Sequence, residues 1–408
     1  MDKSGGTYMI NIRRKNLKNI AAILFFICIM LLLSSCGAKK AVSVSEEEGS
    51  SPTWNKMEIS GSMELLYAEE FSVSYYENGC RLIEISDGSR FLTVPESQGL
   101  PEGIDEDIVV LRVPVRNIYL AASAAMDHFC KLEALDNVTL SATKASGWHI
   151  PEARQAMEAE EIVYAGKYST PDYELILEKG CELAVESTMI LHTPEVKEQL
   201  EKTGIPVLVD RSSYERHPLG RSEWMKLYGV LTGREEQAEA VFREQADKLN
   251  EVLASAEIDS ENRTEGSDKK SVAFFYITSS GSANVRKSGD YVSKMIELAG
   301  GRYVFDDIGD GETATATATI QMEDFYAGAR DADYLIYNST IDGNVETLDQ
   351  LLQKNALLAD FKAVRSGNVY VIGKNMYQET SEAGTIILDM HKMLLGDDEG
   401  MKFLRRLE

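Results

Sequence analysis

From Arg234 to about Glu257 the chain runs without a glycine or proline, and Ala238, Val241, Phe242, Ala246, Leu249, Val252 and Leu253 recur near helical spacing. A helix of roughly 24 residues is about 36 Å long at 1.5 Å per residue, enough to cross a small domain. The sequences on its two sides share one style. Before it, short apolar strands at Asn117–Leu120, Val138–Ser141, Ile162–Tyr164, Leu183–Val185 and Val207–Val209 are separated by helix-like stretches such as Pro194–Lys202. After it come strand Val272–Ile277, helix Tyr291–Ala299, strand Tyr334–Tyr337, helix Thr347–Leu352, strand Val369–Ile372 and a terminal helix from about Thr385 to Leu395. Strands alternating with helices imply mainly parallel sheets covered on both faces. The expected fold is therefore α/β, with two Rossmann-like lobes joined by a single long backbone helix. A rigid helical connection predicts little hinge motion.

Ahead of the first lobe the pattern is different. Phe71–Tyr76 and Cys80–Ile85 alternate apolar and polar residues around Asn78-Gly79, a strong hairpin signal, and Arg90–Val94 follows the turn Ser86-Asp87-Gly88. Residues 54–105 read as an N-terminal antiparallel β meander ending near Pro101. The expected division is 1–35 export signal, 36–53 tether, 54–232 meander plus first lobe, 233–258 linking helix and 259–408 second lobe.

The export signal rests on Arg13, Arg14, Lys15 and Lys18 followed by the uncharged apolar run Ile20–Leu33. At roughly 14 residues that run is short of the ~20 a membrane span needs. It ends in Leu33-Ser34-Ser35-Cys36, which resembles the bacterial lipobox, whose cysteine takes up diacylglycerol. Lipid on Cys36 implies a soluble domain anchored at the outer face of the cytoplasmic membrane, at a cell surface or in a periplasm. The polar stretch through Glu46-Glu47-Glu48 to Pro52 reads as its tether.

The chain's formal net charge is −24. Residues 1–35 hold five Lys/Arg against one Asp, so the mature part is near −28. That argues against nucleic acid and anionic lipid as partners. Cys80, Cys130 and Cys181 are dispersed and include no CxxC, so neither a disulfide framework nor a zinc site is indicated. No GxSxG, GxxxxGK[ST], HExxH or GxGxxG occurs, and the chain is not expected to be an enzyme.

The two lobes share a local pattern. Thr170-Pro171-Asp172-Tyr173-Glu174 leads through one more turn to Glu182 and a strand; Ile320-Gln321-Met322-Glu323 leads similarly to Asp333 and a strand. A first-turn glutamate also complements a helix dipole, by roughly 0.3–1 kcal/mol. With the lone linking helix, the segment Glu215–Trp224 and the turn Ala299-Gly300-Gly301, these features make residues from about Val115 to Leu395 resemble class III periplasmic binding proteins. That is the ferric-siderophore, haem and cobalamin type. The resemblance implies a monomeric solute-binding protein that serves an ABC permease dimer and its ATPase. It also implies that Glu174 and Glu323 dock on permease arginines, with Glu223 a weaker candidate.

Ligands of open α/β sheets sit at the carboxyl ends of strands. That rule selects Lys144, Trp148, His149, Tyr168, Ser187-Thr188, Arg211, Ser212 and Tyr214 in the first lobe. In the second it selects Thr278-Ser279, Asn338-Ser339, Lys374, Asn375 and Tyr377. Aromatic faces mixed with cations in an acidic chain suit an anionic, partly aromatic small molecule: a ferric chelate, haem or a corrinoid. His149, Tyr168 and Tyr214 are also possible axial ligands of such a metal complex. No resident cofactor is expected, and His128, His192, His217 and His391 show no metal-ligand spacing.

Overall fold

Hairpin turns build the first sheet from sequence-local pairs. Strands β1 (Ile59–Ser62), β2 (Phe71–Tyr76), β3 (Arg81–Ile85) and β4 (Arg90–Pro95) are successive antiparallel neighbours, with Gly79 at φ 83° supplying the left-handed turn position. A fifth strand, β5 (Ile108–Val113), adds to β4 in parallel. The extension therefore runs past the expected end at Pro101 and reaches the first lobe only at Val113. Phe71, Val73, Ile83, Ile85 and Phe91 pack into the first lobe's core, while Leu82, Leu92 and Val94 cover Trp54 on the other face. Burial on both faces explains why Phe91–Val94 reads as a continuous apolar run with one threonine.

The computed structural model describes residues 52–262, 269–309, 316–341 and 345–408, with backbone alone from 256 to 262. The export signal, Cys36 and all but the end of the tether lie outside them. Residues 51–408 form one compact unit.

The first lobe is a parallel sheet of β6 (Ile118–Leu120), β7 (Val138–Ser141) and β8 (Val163–Tyr164), a small side hairpin of β9 (Gly166–Lys167) and β10 (Thr170–Pro171), then β11 (Leu183–Ser187) and β12 (Val207–Asp210). The spatial order is β12-β11-β6-β7-β8. Strand order reverses between β6 and β11, and in open α/β sheets such a reversal is where ligands bind, outside the carboxyl ends of the strands.

Helix Met225–Thr232 ends on Gly233 at φ 70°, and helix Glu235–Asn262 begins at once. Its stripe of Ala238, Phe242, Ala246, Leu249 and Val252 is buried. Ala238 belongs to the first lobe's core and the other four to the second's, so one apolar face is handed from lobe to lobe. The second lobe holds β13 (Ser271–Ile277), β14 (Ala283–Arg286), β15 (Arg302–Tyr303), β16 (Thr317–Ile320), β17 (Tyr334–Asn338), β18 (Val369–Ile372) and β19 (Leu404–Arg406), in the order β16-β14-β13-β17-β18-β19 with β15 on β13. β13, β17 and β18 are the expected parallel core; β15 adds to β13 in parallel, and antiparallel β14, β16 and β19 extend the sheet at both margins.

Two buried carboxylates fasten the extension. Glu223 is fully buried and accepts hydrogen bonds from the backbone N–H of Leu66, Tyr67 and Ala68 at 2.8–3.1 Å, with Lys226 Nζ at 3.0 Å. Glu215 accepts from Glu69 and Glu70 N–H and from Trp224 Nε1. Glu223 is thus an internal clamp and is removed from the docking candidates. Arg81 pairs with Glu235 at 3.0 Å, so the extension also grips the start of the linking helix.

Candidate functional site

The loops after the first lobe's strands meet those after the second lobe's. His149 N–H donates to Gln378 Oε1 at 2.7 Å, and Gln378 Nε2 donates back to Gly147 O at 2.8 Å. Deeper in, Ser381 donates both its N–H and its hydroxyl to Asp127, Thr380 Oγ1 donates to Ala124 O, and Lys131 pairs with Glu382 at 2.6 Å. Burial pushes the Asp127 carboxyl up to about 6 against the pull of these donors. Burial raises Glu382's pKa and the Lys131 contact opposes it, leaving the group at about 2. The segment Gln378–Glu382 is therefore a strap of the second lobe laid across the first.

At the floor of this seam lies the helix Pro218–Glu223, against helix Tyr291–Leu298 and the strap. Arg221 stacks on Tyr291, its Cζ 4.1 Å from the ring centroid. From the second lobe, Arg286 stands over Tyr377 at 5.2 Å and 3.6 Å from Asp290 Oδ2. His128 is enclosed beside them, and burial, with Arg221's charge, drives its pKa down to about 3, so it is neutral. The sequence reading missed both: Arg221 lies inside a helix, and Arg286 ends β14, an antiparallel strand that was not foreseen.

The expected ligand residues divide. Lys144 and His149 are exposed at the rim, Lys144 over Tyr164 at 5.4 Å. His149 has its pKa lowered by partial burial and by Lys374 and Arg154. Lys374 is half-buried across the seam from it, near enough for its charge to disfavour protonation of His149. Asn338 is buried and donates to Tyr377 Oη at 3.1 Å, which makes a polar wall of the second lobe. Tyr168 is half-buried in the β9–β10 turn. Two residues have other work. Trp148 is 1% exposed inside the first lobe's core, so its ring is not offered to the cleft. Arg211 donates to Glu70 Oε2 and Ser86 Oγ, both at 2.7 Å, and covers Tyr214 at 4.5 Å; it holds the extension rather than standing free. Tyr214, beneath it, is likewise half-enclosed.

Glu174 and Glu323 are both exposed in the first turn of their helices, Tyr173–Glu178 and Met322–Ala329. The shared acidic residue further on has a structural task in each lobe. Glu182 Oε2 accepts from Arg116 N–H at 2.7 Å and Asp333 Oδ2 from Ser271 N–H at 2.8 Å, just before β6 and at the start of β13. The lobes thus repeat in hydrogen bonding as well as in order.

Among the described residues no group of three or more His, Cys, Asp or Glu side chains could hold a metal ion, and no helix is long and apolar enough to cross a membrane. Cys80, Cys130 and Cys181 are free; burial pushes the Cys130 thiol up to about 12 and Cys181 up to about 11.

A family model described as periplasmic binding protein matches residues 123–376. The chain belongs to that family of extracytoplasmic solute-binding proteins, and the match begins beyond the extension. An uncharacterised lipoprotein of Methanocaldococcus jannaschii is 22% identical over 405 residues, covering 90% of this chain and 91% of the relative. Among solved structures, a periplasmic heme binding protein of Pseudomonas aeruginosa has a TM-score of 0.54 at 16% identity, over 72% of this chain and 98% of its own. A protein of an ABC-type Fe3+-hydroxamate transport system of Saccharomonospora viridis has 0.51 at 20%, over 69% and 94%. These likenesses are in the fold.

Proposed function

We propose that this protein, held at the membrane by lipid on Cys36, captures a ferric-siderophore-type iron complex between its lobes and delivers it to an ABC permease. The reading rests most on one juxtaposition: Lys374 of the second lobe acts electrostatically on His149 of the first, whose loop also carries exposed Lys144, so lysines of both lobes line one rim in a chain of net charge −24. A negatively charged chelate finds there the local field that the rest of the surface denies it. Lys144 lies on the same first-lobe loop as His149 and widens the rim. Asn338 and Tyr377 supply directional hydrogen bonds on the second lobe. Haem or a corrinoid is the second reading, favoured by the heme binding protein that shares the fold and by the tyrosine rings near the rim.

Delivery is assigned to Glu174 and Glu323. Exposed carboxylates at equivalent helix starts of two similar lobes suit a symmetric receptor that offers arginines, and the protein acts as a monomer on the permease dimer. The test is uptake by cells carrying Glu174→Arg and Glu323→Arg together. Uptake of the iron complex should fall to background while its affinity for the purified protein stays unchanged. Unchanged uptake would instead point to a surface sensor or adhesin that kept the fold.

A further inference from the structure

Arg221 is 8% exposed, yet its guanidinium makes no hydrogen bond or ion pair among the described residues; what it touches is the face of Tyr291. Its nitrogens are not sealed off as Arg90 Nε is, so they keep some accessible surface. A guanidinium this enclosed with idle N–H donors is an anomaly, because burial strips most of its hydration and no protein group replaces it. Arg286, from the other lobe, shares the neighbourhood: both arginines act electrostatically on Asp290 and on Tyr291. Asp290 spends one oxygen on Val292 N–H as the cap of its helix. Two cations therefore face one partly used carboxylate, and neutral His128 adds no charge.

We propose that the floor of the seam is an oxyanion seat, in which Arg221 and Arg286, one from each lobe, take a carboxylate or phosphate group of the bound solute. The seat rests on the reading of the seam as the solute site. A guanidinium offers paired N–H donors that match an oxyanion, and the tyrosine rings beneath both arginines hold the forks in place without competing for them. The seat's net charge of one positive unit is cancelled by a monoanion, which bridges the lobes without requiring them to move. The lysines of the rim then serve arrival, while the arginines serve retention.

The test is calorimetric titration of the full-length protein in detergent with citrate, acetate and inorganic phosphate, which separates carboxylate from phosphate. Saturable binding of at least one oxyanion is expected, weakened about tenfold or more by Arg221→Met and less by Arg221→Lys. The thermal midpoint should rise with that oxyanion in the wild type and stay flat in Arg221→Met, a response that a purely structural arginine does not produce. If Arg221→Met fails to fold, Arg286→Met carries the same test from the other lobe. No saturable oxyanion binding, or binding indifferent to these substitutions, overturns the seat. Oxyanion binding with no affinity for any ferric chelate, haem or corrinoid keeps the seat and sinks the iron reading. Chelate binding untouched by Arg221→Met does the reverse.

Discussion

Glu223 and Arg221 share one short helix and meet opposite conditions. Every lone pair demand of Glu223 is met by three backbone N–H groups and Lys226, while the donors of Arg221 are idle. Glu223→Ala strands those N–H groups, while Lys226 keeps Glu239 and Glu64 O as partners, so it should cost about 3 kcal/mol in urea unfolding; a loss under about 1 kcal/mol would contradict the clamp. Glu186, near the end of β11, is fully buried, and neither carboxylate oxygen has a partner. Burial pushes it up to about 8, so the folded state holds a proton that the unfolded chain releases near its ordinary 4.5. Folded molecules then bind more protons than unfolded ones between those values, and this group's contribution to stability falls as pH rises through that window. Glu186→Leu should flatten the slope and be more stable than wild type at pH 8 by about 1–3 kcal/mol, with the gap closing toward pH 5. Equal pH profiles for the two proteins would refute it. Such burial was not legible in the sequence. An acid in Glu215–Trp224 reads the same whether it faces a permease or a loop folded back from 157 residues earlier, as Leu66 is from Glu223. Trp148 followed the strand-end rule to a loop, but a large apolar ring at a loop's base turns into the nearest core.

At the scale of elements, the parallel strands and the linking helix were legible because each announces itself locally, by an apolar run or by a breaker-free stripe. Strands β5, β14, β16 and β19 were not. They are three to six residues long and owe their pairing to neighbours already in place. The linking helix packs along the terminal helix Ala383–Leu395 at a close approach the sequence marks only by Gly384. A Cβ there would lie 2.2 Å from Gln245 O. Gly384→Ala should therefore push the two helices apart and lower stability by about 1–3 kcal/mol in chemical unfolding, although alanine is the better helix former by up to ~1 kcal/mol. A stabilised Gly384→Ala protein would show that the approach is looser than described.

For the whole molecule, the connection between lobes has three strands of support: the helix, the strap Gln378–Glu382, and the extension clamped by Glu215 and Glu223. Tyr67 of the extension stacks on His217 at 4.2 Å and reaches the second lobe's core, so the extension touches both lobes. Ligand capture should accordingly leave the radius of gyration within about 1 Å of its ligand-free value by X-ray scattering, whereas a larger contraction would mean that the lobes hinge. The central claim, that a solute is held between the lobes at a cationic rim, is tested most directly by calorimetric titration of the protein with ferric siderophores, haem and cobalamin. The account predicts saturable one-to-one binding of one class, weakened about tenfold or more by Lys374→Glu. No saturable binding by any of them, or binding indifferent to Lys374→Glu, would contradict it.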